Sequence, residues 1–346
     1  MIIKKKILSN ELITRNLKNI ALKDKYLFEK DIQKKTGESY IYFLKNKKIL
    51  NDGKINTFNK DIISDFLGFK NLSKLILIKK ILLYVNYIVK IISQNIFIHK
   101  IYTRENCIII YNRNSIGYFH WTLDTLPKII YIKKKYKGID LILPKNLDVS
   151  FIRESLKKIK VNFFFIERNT NYYFRNIIYV GDLYPSGSPR SELLVPLKKI
   201  GNINYKKKRI FISRNKSKRR NLSNENKLIK ILKKYNFEIL YSEKLSFDDQ
   251  IKKFSSAKYV IGLHGAGISN IIWMKEKSYL LELKPELDLF LNCYFNLAKA
   301  LKINYDYLIC QKNQIFRSSK YSNYIVDEKL FEKKLEKIFK NENKKN

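Results

Sequence analysis

Cysteine is scarce: Cys107, Cys293 and Cys310 are the only three in 346 residues. Their odd number and wide spacing exclude a disulfide framework. Histidine is equally scarce, and His99, His120 and His264 make no short zinc-ligand motif with the cysteines. The chain reads as a protein of a reducing compartment with no metal site. Glycine and proline number 11 and 6, which excludes collagen-like and low-complexity architectures. A long hydrophobic run is also missing. The most apolar stretch, Leu75 to Ile98, is broken by Lys79, Lys80 and Lys90. It predicts a buried strand or helix, or else a helix lying on a membrane surface, and not a bilayer span. The start, Met1-Ile2-Ile3-Lys4-Lys5-Lys6, lacks the apolar core and cleavage site of a secretory leader, so none is expected.

Negative charge is the other shortage. Against 70 Lys and Arg stand 31 Asp and Glu, a net charge of +39. Taken alone, that points to nucleic acid or an anionic membrane. Yet only twelve of the basic residues are arginine, and the chain is rich in Ile and Asn as well as Lys. All three have A/T-rich codons, so an AT-rich genome produces this composition without selection for a polyanion. A lysine here carries little information. Clustered arginines carry more, because the planar guanidinium fork grips phosphate through parallel bonds.

What the chain does hold is core-forming material. Hydrophobic residues make up 45% and aromatics 14%, enough for a sizeable core. At about 150 residues per domain, the length predicts two. The first hundred residues are hard to place. Further on, strands are expected over 106–111, 141–143, 162–166 and 177–180, with helices over 119–136 and 149–159. Leu183 to Pro196 is the densest cluster of breakers, so the boundary is placed near 197. Beyond it, strands at 209–213, 237–241, 259–263, 279–283 and 305–310 alternate with helices at 225–235, 247–256, 268–274 and 289–301. Ser223 and Ser246 are the expected caps of the first two of these helices. Such alternation predicts a parallel, doubly wound sheet with ligands at the carboxyl ends of its strands. The expected organisation is an N-terminal domain over 1–197, a C-terminal domain over 198–322, and a closing helix and tail over 323–346, the helix capped by Asp327.

Three segments are suited to chemistry. Leu263-His264-Gly265-Ala266-Gly267-Ile268-Ser269-Asn270 follows an apolar strand and opens a helix. Its glycines permit a tight turn and close backbone approach, and a helix N-terminus favours a pyrophosphate. The same spacing also serves an ordinary strand-to-helix turn. Ser213 to Arg220 holds Arg214, Arg219 and Arg220 between a strand and a helix, leaving the same sheet edge. With the glycine loop it makes a diphosphate clamp; without it, a solvated basic loop. In Tyr118-Phe119-His120-Trp121-Thr122-Leu123-Asp124, His120 and Asp124 share a helix face. A carboxylate there orients an imidazole and raises its basicity, as a general base requires, though a surface ion pair has the same spacing. Glu282, ending an apolar strand, is placed either to accept ribose hydroxyls or as a surface charge.

Together these blocks resemble glycosyltransferase family 61, often seen as bacterial capsular polysaccharide biosynthesis proteins. The similarity lies in Tyr118 to Asp124 with Leu126-Pro127, in Arg209 to Arg214 with Arg219-Arg220 and Asn224-Glu225, and in His264-Gly265-Ala266-Gly267 with Asn270. It covers roughly residues 104 to 284. The family usually has arginine after the Leu-Pro; here the residue is Lys128. The resemblance implies a GT-B-type fold of two Rossmann-like doubly wound domains facing across a cleft. It implies inverting transfer of a sugar from a nucleotide-sugar donor to a glycan hydroxyl, without a cofactor or bound metal. Arg214, Arg219, Arg220, His264, Gly265, Ala266, Gly267, Asn270 and Glu282 would bind the donor. His120 or Asp124 would take the acceptor's proton. The expected partners are a nucleotide-sugar and a glycan or lipid-linked glycan acceptor, with peripheral contact to an anionic membrane and no nucleic acid. The expected location is the cytoplasm or the inner membrane face. Two other classes compete: a catalytically idle sugar-nucleotide scaffold, and a nucleic-acid-binding protein.

Overall fold

The computed structural model describes residues 1–50, 52–67, 77–96, 100–167, 170–201, 205–215, 217, 219–314 and 321–343. His99, Lys216 and Lys218 lie outside them. The chain divides into two compact units, one of residues 1–12 and 35–200, the other of 13–34 and 201–346.

The first unit is built on a six-stranded sheet. Chain order gives β1 (Ile2–Leu8), β2 (Leu12–Thr14), β3 (Gln33–Lys35), β4 (Ser39–Ile49), β5 (Lys100–Ile109), β6 (Leu141–Leu143), β7 (Phe163–Phe165) and β8 (Thr170–Val180). β2 and β3 pair separately, and the sheet order is β1-β4-β8-β5-β6-β7. β8, β5, β6 and β7 run parallel. β4 lies antiparallel to both β8 and β1. This corrects the expectation of a doubly wound sheet throughout: the parallel half is extended by an antiparallel pair from the unplaced N-terminal region. Within the parallel half, the chain moves outward from β5 through β6 to β7, then returns to β8 on the other flank of β5. The carboxyl ends of β5 and β8 therefore form a switch point, where adjacent loops part and leave a crevice.

The second unit adds β9 (Lys208–Ile212), β10 (Glu238–Leu240), β11 (Ala257–Leu263), β12 (Tyr279–Pro285), β13 (Asn304–Gln314) and β14 (Asn323–Ile325), in the order β10-β9-β11-β12-β13-β14. All neighbours are parallel except the last pair. This is the doubly wound arrangement the alternation predicts, with its switch point between β9 and β11. β11 is buried almost throughout, as a central parallel strand must be. One face carries Phe211, Ile261, Leu281 and Leu283 against Leu228, Leu232, Phe331, Leu335 and Phe339. The helix Glu328–Asn343 is thus part of this core and not a separate tail.

Ile13–Lys34 also joins the second unit, where the sequence reading had assigned it to the first. The reason is packing: Phe28 is fully buried against Phe295, Tyr305 and Tyr307. Buried Asp31 accepts hydrogen bonds from Asn292 and Asn296. Pro196, read as a breaker, lies inside the helix Ser191–Lys198. Ser246 caps its helix by accepting from the Asp249 amide at 3.0 Å. Ser223 does not cap; Asn224 takes the N-cap position, with its carboxamide turned to the backbone of Val326.

The apolar stretch forms the helix Leu77–Ile96. Tyr87 and Ile91 are buried, but Ile81, Leu82, Val85, Val89 and Ile92 are each at least 50% exposed. The expectation of a buried element therefore holds for one face only. No helix among the described residues is long and apolar enough to cross a membrane. The cysteines are free, and burial pushes the Cys107 thiol well up.

Candidate active site

In the first unit, the switch-point crevice contains His120 and Asp124. They stand in a widened, π-helical turn, His120–Thr125, in which the Leu126 amide bonds back five residues to the Trp121 carbonyl. Such turns recur at functional sites. Pro127 accounts for it locally: it has no N–H to give the Leu123 carbonyl. That carbonyl instead accepts from the Tyr184 hydroxyl. Fully buried Trp121 anchors the turn, its indole donating to Ser155 at 2.8 Å.

His120 Nδ1 lies 2.8 Å from Asp124 Oδ2, and Ser186 donates to the same oxygen at 2.6 Å. Asp124 Oδ1 is buried without a hydrogen-bond partner. With Nδ1 engaged by the carboxylate, Nε2 is the ring nitrogen left for a substrate proton. Ser186 was not singled out from the sequence. Its signal was its place in the Pro185-Ser186-Gly187 turn just beyond β8, at the switch point. Lys128, the position usually arginine in family 61, is buried and paired with Asp182. It supports the crevice wall from inside and does not present its ammonium to the solvent side.

In the second unit, the loops after β9 and β11 meet at the other switch point. Arg214 follows β9. Its Nε donates to the Arg220 carbonyl at 2.7 Å, and Nη2 to Ser217 at 3.0 Å and the Arg219 carbonyl at 2.5 Å. Burial, with Arg220 nearby, pushes its pKa down. Gly265 follows β11, and a Cβ there would lie 2.2 Å from Arg214 Nη1. Only glycine lets the guanidinium come so close to the loop. At Gly267 a Cβ would meet Ile212 at 3.1 Å. The helix that follows, Ala266–Trp273, is a 3₁₀ helix whose first bond runs from the Ile268 amide to the Gly265 carbonyl. The amides of Gly265, Ala266 and Gly267 make no backbone hydrogen bond among the described residues. They are a set of donors beside a guanidinium, the arrangement an oxyanion or phosphate requires.

Residues 118–281 match the family model of glycosyltransferase 61. The chain carries a glycosyltransferase 61 domain. It is a glycosyltransferase, and no curated protein matches it. The domain spans both switch points, from Tyr118 beside His120 to Leu281 of β12.

Three of the residues expected to bind the donor are instead engaged inside the protein. Arg220 adopts a left-handed backbone, φ 55°, and is nearly buried. It donates to the His264 carbonyl at 2.9 Å and to Asp288 at 2.6 Å, so it braces the loop. Asn270 is fully buried, donating to Gln250 at 2.7 Å and accepting from Trp273 at 3.1 Å. It shapes the turn and offers nothing to a ligand. Glu282 is fully buried, and not open to a ribose. It accepts from Tyr305 at 2.6 Å and holds His264 Nδ1 at 2.5 Å. The strand pleat explains this: Glu282 and Lys284, two apart, point to the same buried face of β12. His264 is therefore oriented by a carboxylate, as His120 is. Arg219 remains exposed, its guanidinium 5.1 Å over the Tyr321 ring.

Glu225, Tyr294 and Tyr305 also support the loops after β9 and β11, the last through its bond to Glu282. Glu225 is buried and binds the Ser213 hydroxyl and the Arg214 amide, fixing where Arg214 begins. Tyr294 packs on His264 and donates to the Gly265 carbonyl at 2.6 Å. Gly265→Ala is expected to leave the fold intact, since the clashing atom ends a flexible side chain, but to displace Arg214. Nucleoside diphosphate affinity, read by calorimetry, should fall at least about tenfold, the scale of one lost charge-assisted contact.

Proposed function

We propose that this glycosyltransferase transfers a sugar from a nucleotide-sugar donor to a glycan hydroxyl with inversion, in the synthesis of capsule, O-antigen or another surface polysaccharide. The reading is of GT-B type, with one unit for each substrate. The second unit takes the donor: the Gly265–Gly267 amides and Arg214 hold the diphosphate, Arg219 closes over it, and His264, steadied by Glu282, donates to a phosphate oxygen. These groups supply the countercharge that a metal would otherwise provide, so transfer proceeds without one. The first unit takes the acceptor. His120 removes the proton from the attacking hydroxyl, and Asp124 orients the ring and stabilises its charged form. As the anomeric carbon–oxygen bond breaks, charge builds on the leaving diphosphate, where Arg214 and the amides stabilise it.

The observation that carries this reading is the meeting of Arg214 with the Gly265 loop at the switch point. A melting screen with UDP, GDP, CDP and ADP tests it, because a ligand bound only to the native state raises the midpoint. One nucleotide is expected to raise it, and Arg214→Ala to abolish that shift and cut turnover roughly 10²–10³-fold. No shift with any of the four would sink the donor assignment.

We propose further that the chain works in the cytoplasm, at the inner membrane face, on a lipid-linked acceptor. The half-exposed stripe Ile81, Leu82, Val85, Val89 and Ile92 and the positive charge suit an anionic lipid surface.

A further inference from the structure

The helix Leu126–Lys133 begins beside the His120 turn and ends, about 12 Å away, in the wall of a separate cavity of about 610 Å³. The cavity lies in the first unit, where Gly138 and Ile139 lead into β6 and Val161 and Asn162 lead into β7. It therefore sits at the amino ends of these strands, whereas the His120 crevice belongs to the carboxyl ends of β5 and β8. Its walls are apolar and drawn from the core: Ile108, Ile129, Ile132, Leu141 and Ile159 are all buried, yet all line it. Its mouth is basic. Lys133, Lys134, Lys137, Lys160 and Lys199 line it, and no carboxylate does. Lys133 gives its ammonium to the Ile159 carbonyl. The other four are exposed, and their side chains have no partner among the described residues. Asp140, next in the chain to Ile139, lines a different cleft, with Arg104 and Glu105.

We infer that this cavity binds a free amphipathic anion of the fatty-acid type, one acyl chain ending in a carboxylate. The site stands apart from both substrate assignments. A single lysine says little in this chain; what is informative is a core-lined cavity left open with only cations at its mouth. An apolar wall exposed to water favours an apolar occupant. The volume is within the range of pockets that enclose small molecules, about 300–1,000 Å³, and suits one chain in preference to the two of a bilayer lipid. Four unpaired ammonium groups around one opening repel one another, and a carboxylate placed among them is attracted to all four. A neutral chain would gain the walls alone.

The test is a calorimetric titration of the full chain with octanoate, decanoate and dodecanoate below their micellar concentrations, and with octan-1-ol. Octanoate is expected to bind in the millimolar range, and affinity to rise roughly tenfold for each two methylenes added. Octan-1-ol should bind at least about fivefold more weakly than octanoate, a gap that closes as salt is raised to about 1 M. Val161→Trp, which fills the cavity from a half-buried position, should remove binding of both acid and alcohol. Lys137→Glu combined with Lys199→Glu, reversals at exposed positions, should weaken octanoate severalfold and leave octan-1-ol unchanged. Octanoate binding that survives Val161→Trp would seat the anion elsewhere on this basic chain and overturn the inference. Affinity independent of chain length, equal binding of acid and alcohol, or a double reversal that binds octanoate like wild type would each overturn it too, as would no binding of any probe. If Val161→Trp does not fold, the chain-length series and the double reversal decide.

Discussion

His120→Ala is expected to lower kcat by about 10²–10⁴, the usual contribution of a general base, while leaving the nucleotide-induced melting shift intact. The separation follows from where the groups stand. His120, Asp124 and Ser186 sit together in the first unit, and Arg214 with the glycine loop in the second. Asp124→Asn should lower kcat too, through a different loss. The neutral amide no longer stabilises the imidazolium and leaves the ring free to adopt the other tautomer. Ser186→Ala, which removes one hydrogen bond to Asp124 Oδ2, should cost about tenfold or less. Single-turnover assays on the three variants give the order. Wild-type turnover in both His120→Ala and Asp124→Asn would remove this pair from the chemistry. A loss in Asp124→Asn alone would move the base to Asp124, whose Oδ1 is the unpaired atom.

Glu282→Gln is expected to be the costliest change in the second unit that keeps side-chain volume. Glu282 is fully buried, with His264 on one oxygen and Tyr305 on the other. Burial alone would push its pKa up. Lys284, His264 and the two hydrogen bonds outweigh that, and the carboxyl is held below its ordinary value. Removing the charge leaves Lys284 without its compensating neighbour in the core, where breaking a buried pair costs roughly 3–5 kcal/mol. At about 2–4 °C per kcal/mol for a unit of this size, the midpoint should fall by roughly 6–20 °C. The pH dependence has a definite sign. A carboxyl whose folded pKa is depressed contributes stability above its ordinary value, here 4.5. That contribution is lost as pH falls through the folded value. The stability gap between wild type and Glu282→Gln should hold at neutral pH and close on acidification below about 4.5. A gap that widens there would mean the carboxyl is protonated in the native state. In the nucleotide melting screen, Glu282→Gln should also weaken binding, because His264 loses the partner that sets its ring.

Much of the second unit was legible in the sequence because its strands are central and parallel. Tyr259 to Leu263 and Tyr279 to Leu283 are short apolar runs bounded by clear turns, and both appear within β11 and β12. Ser246 and Asp327 announced their helix starts by side-chain chemistry that acts within three residues. The first hundred residues were not legible for the opposite reason. β1 and β4 are antiparallel and partly exposed, and lysines (Lys4 to Lys6, Lys45, Lys47 and Lys48) interrupt them, so neither strand shows a clean period of two. The short segment Ile13–Lys34 has no local signal for joining the second unit; Phe28 and Asp31 find their partners more than 250 positions away.

The site shows the same division. Residue types and short spacings identified the His120–Asp124 pair and the His264–Gly267 loop, since both depend on neighbours within a few positions. The roles of the remaining candidates were decided by tertiary structure. Arg220, Asn270 and Glu282 carry ligand-type groups, and in sequence nothing separates them from Arg214. Burial does: a polar group that loses water must find a partner within the protein, and these three find theirs in Asp288, Gln250 and His264. Arg214 keeps Nη1 beside a glycine with no Cβ. The sequence by itself determined that this chain has the parts of a glycosyltransferase. Which of those parts face a substrate and which hold the others in place depends on long-range packing, where the cost of an unpaired buried charge assigns each polar group its neighbour.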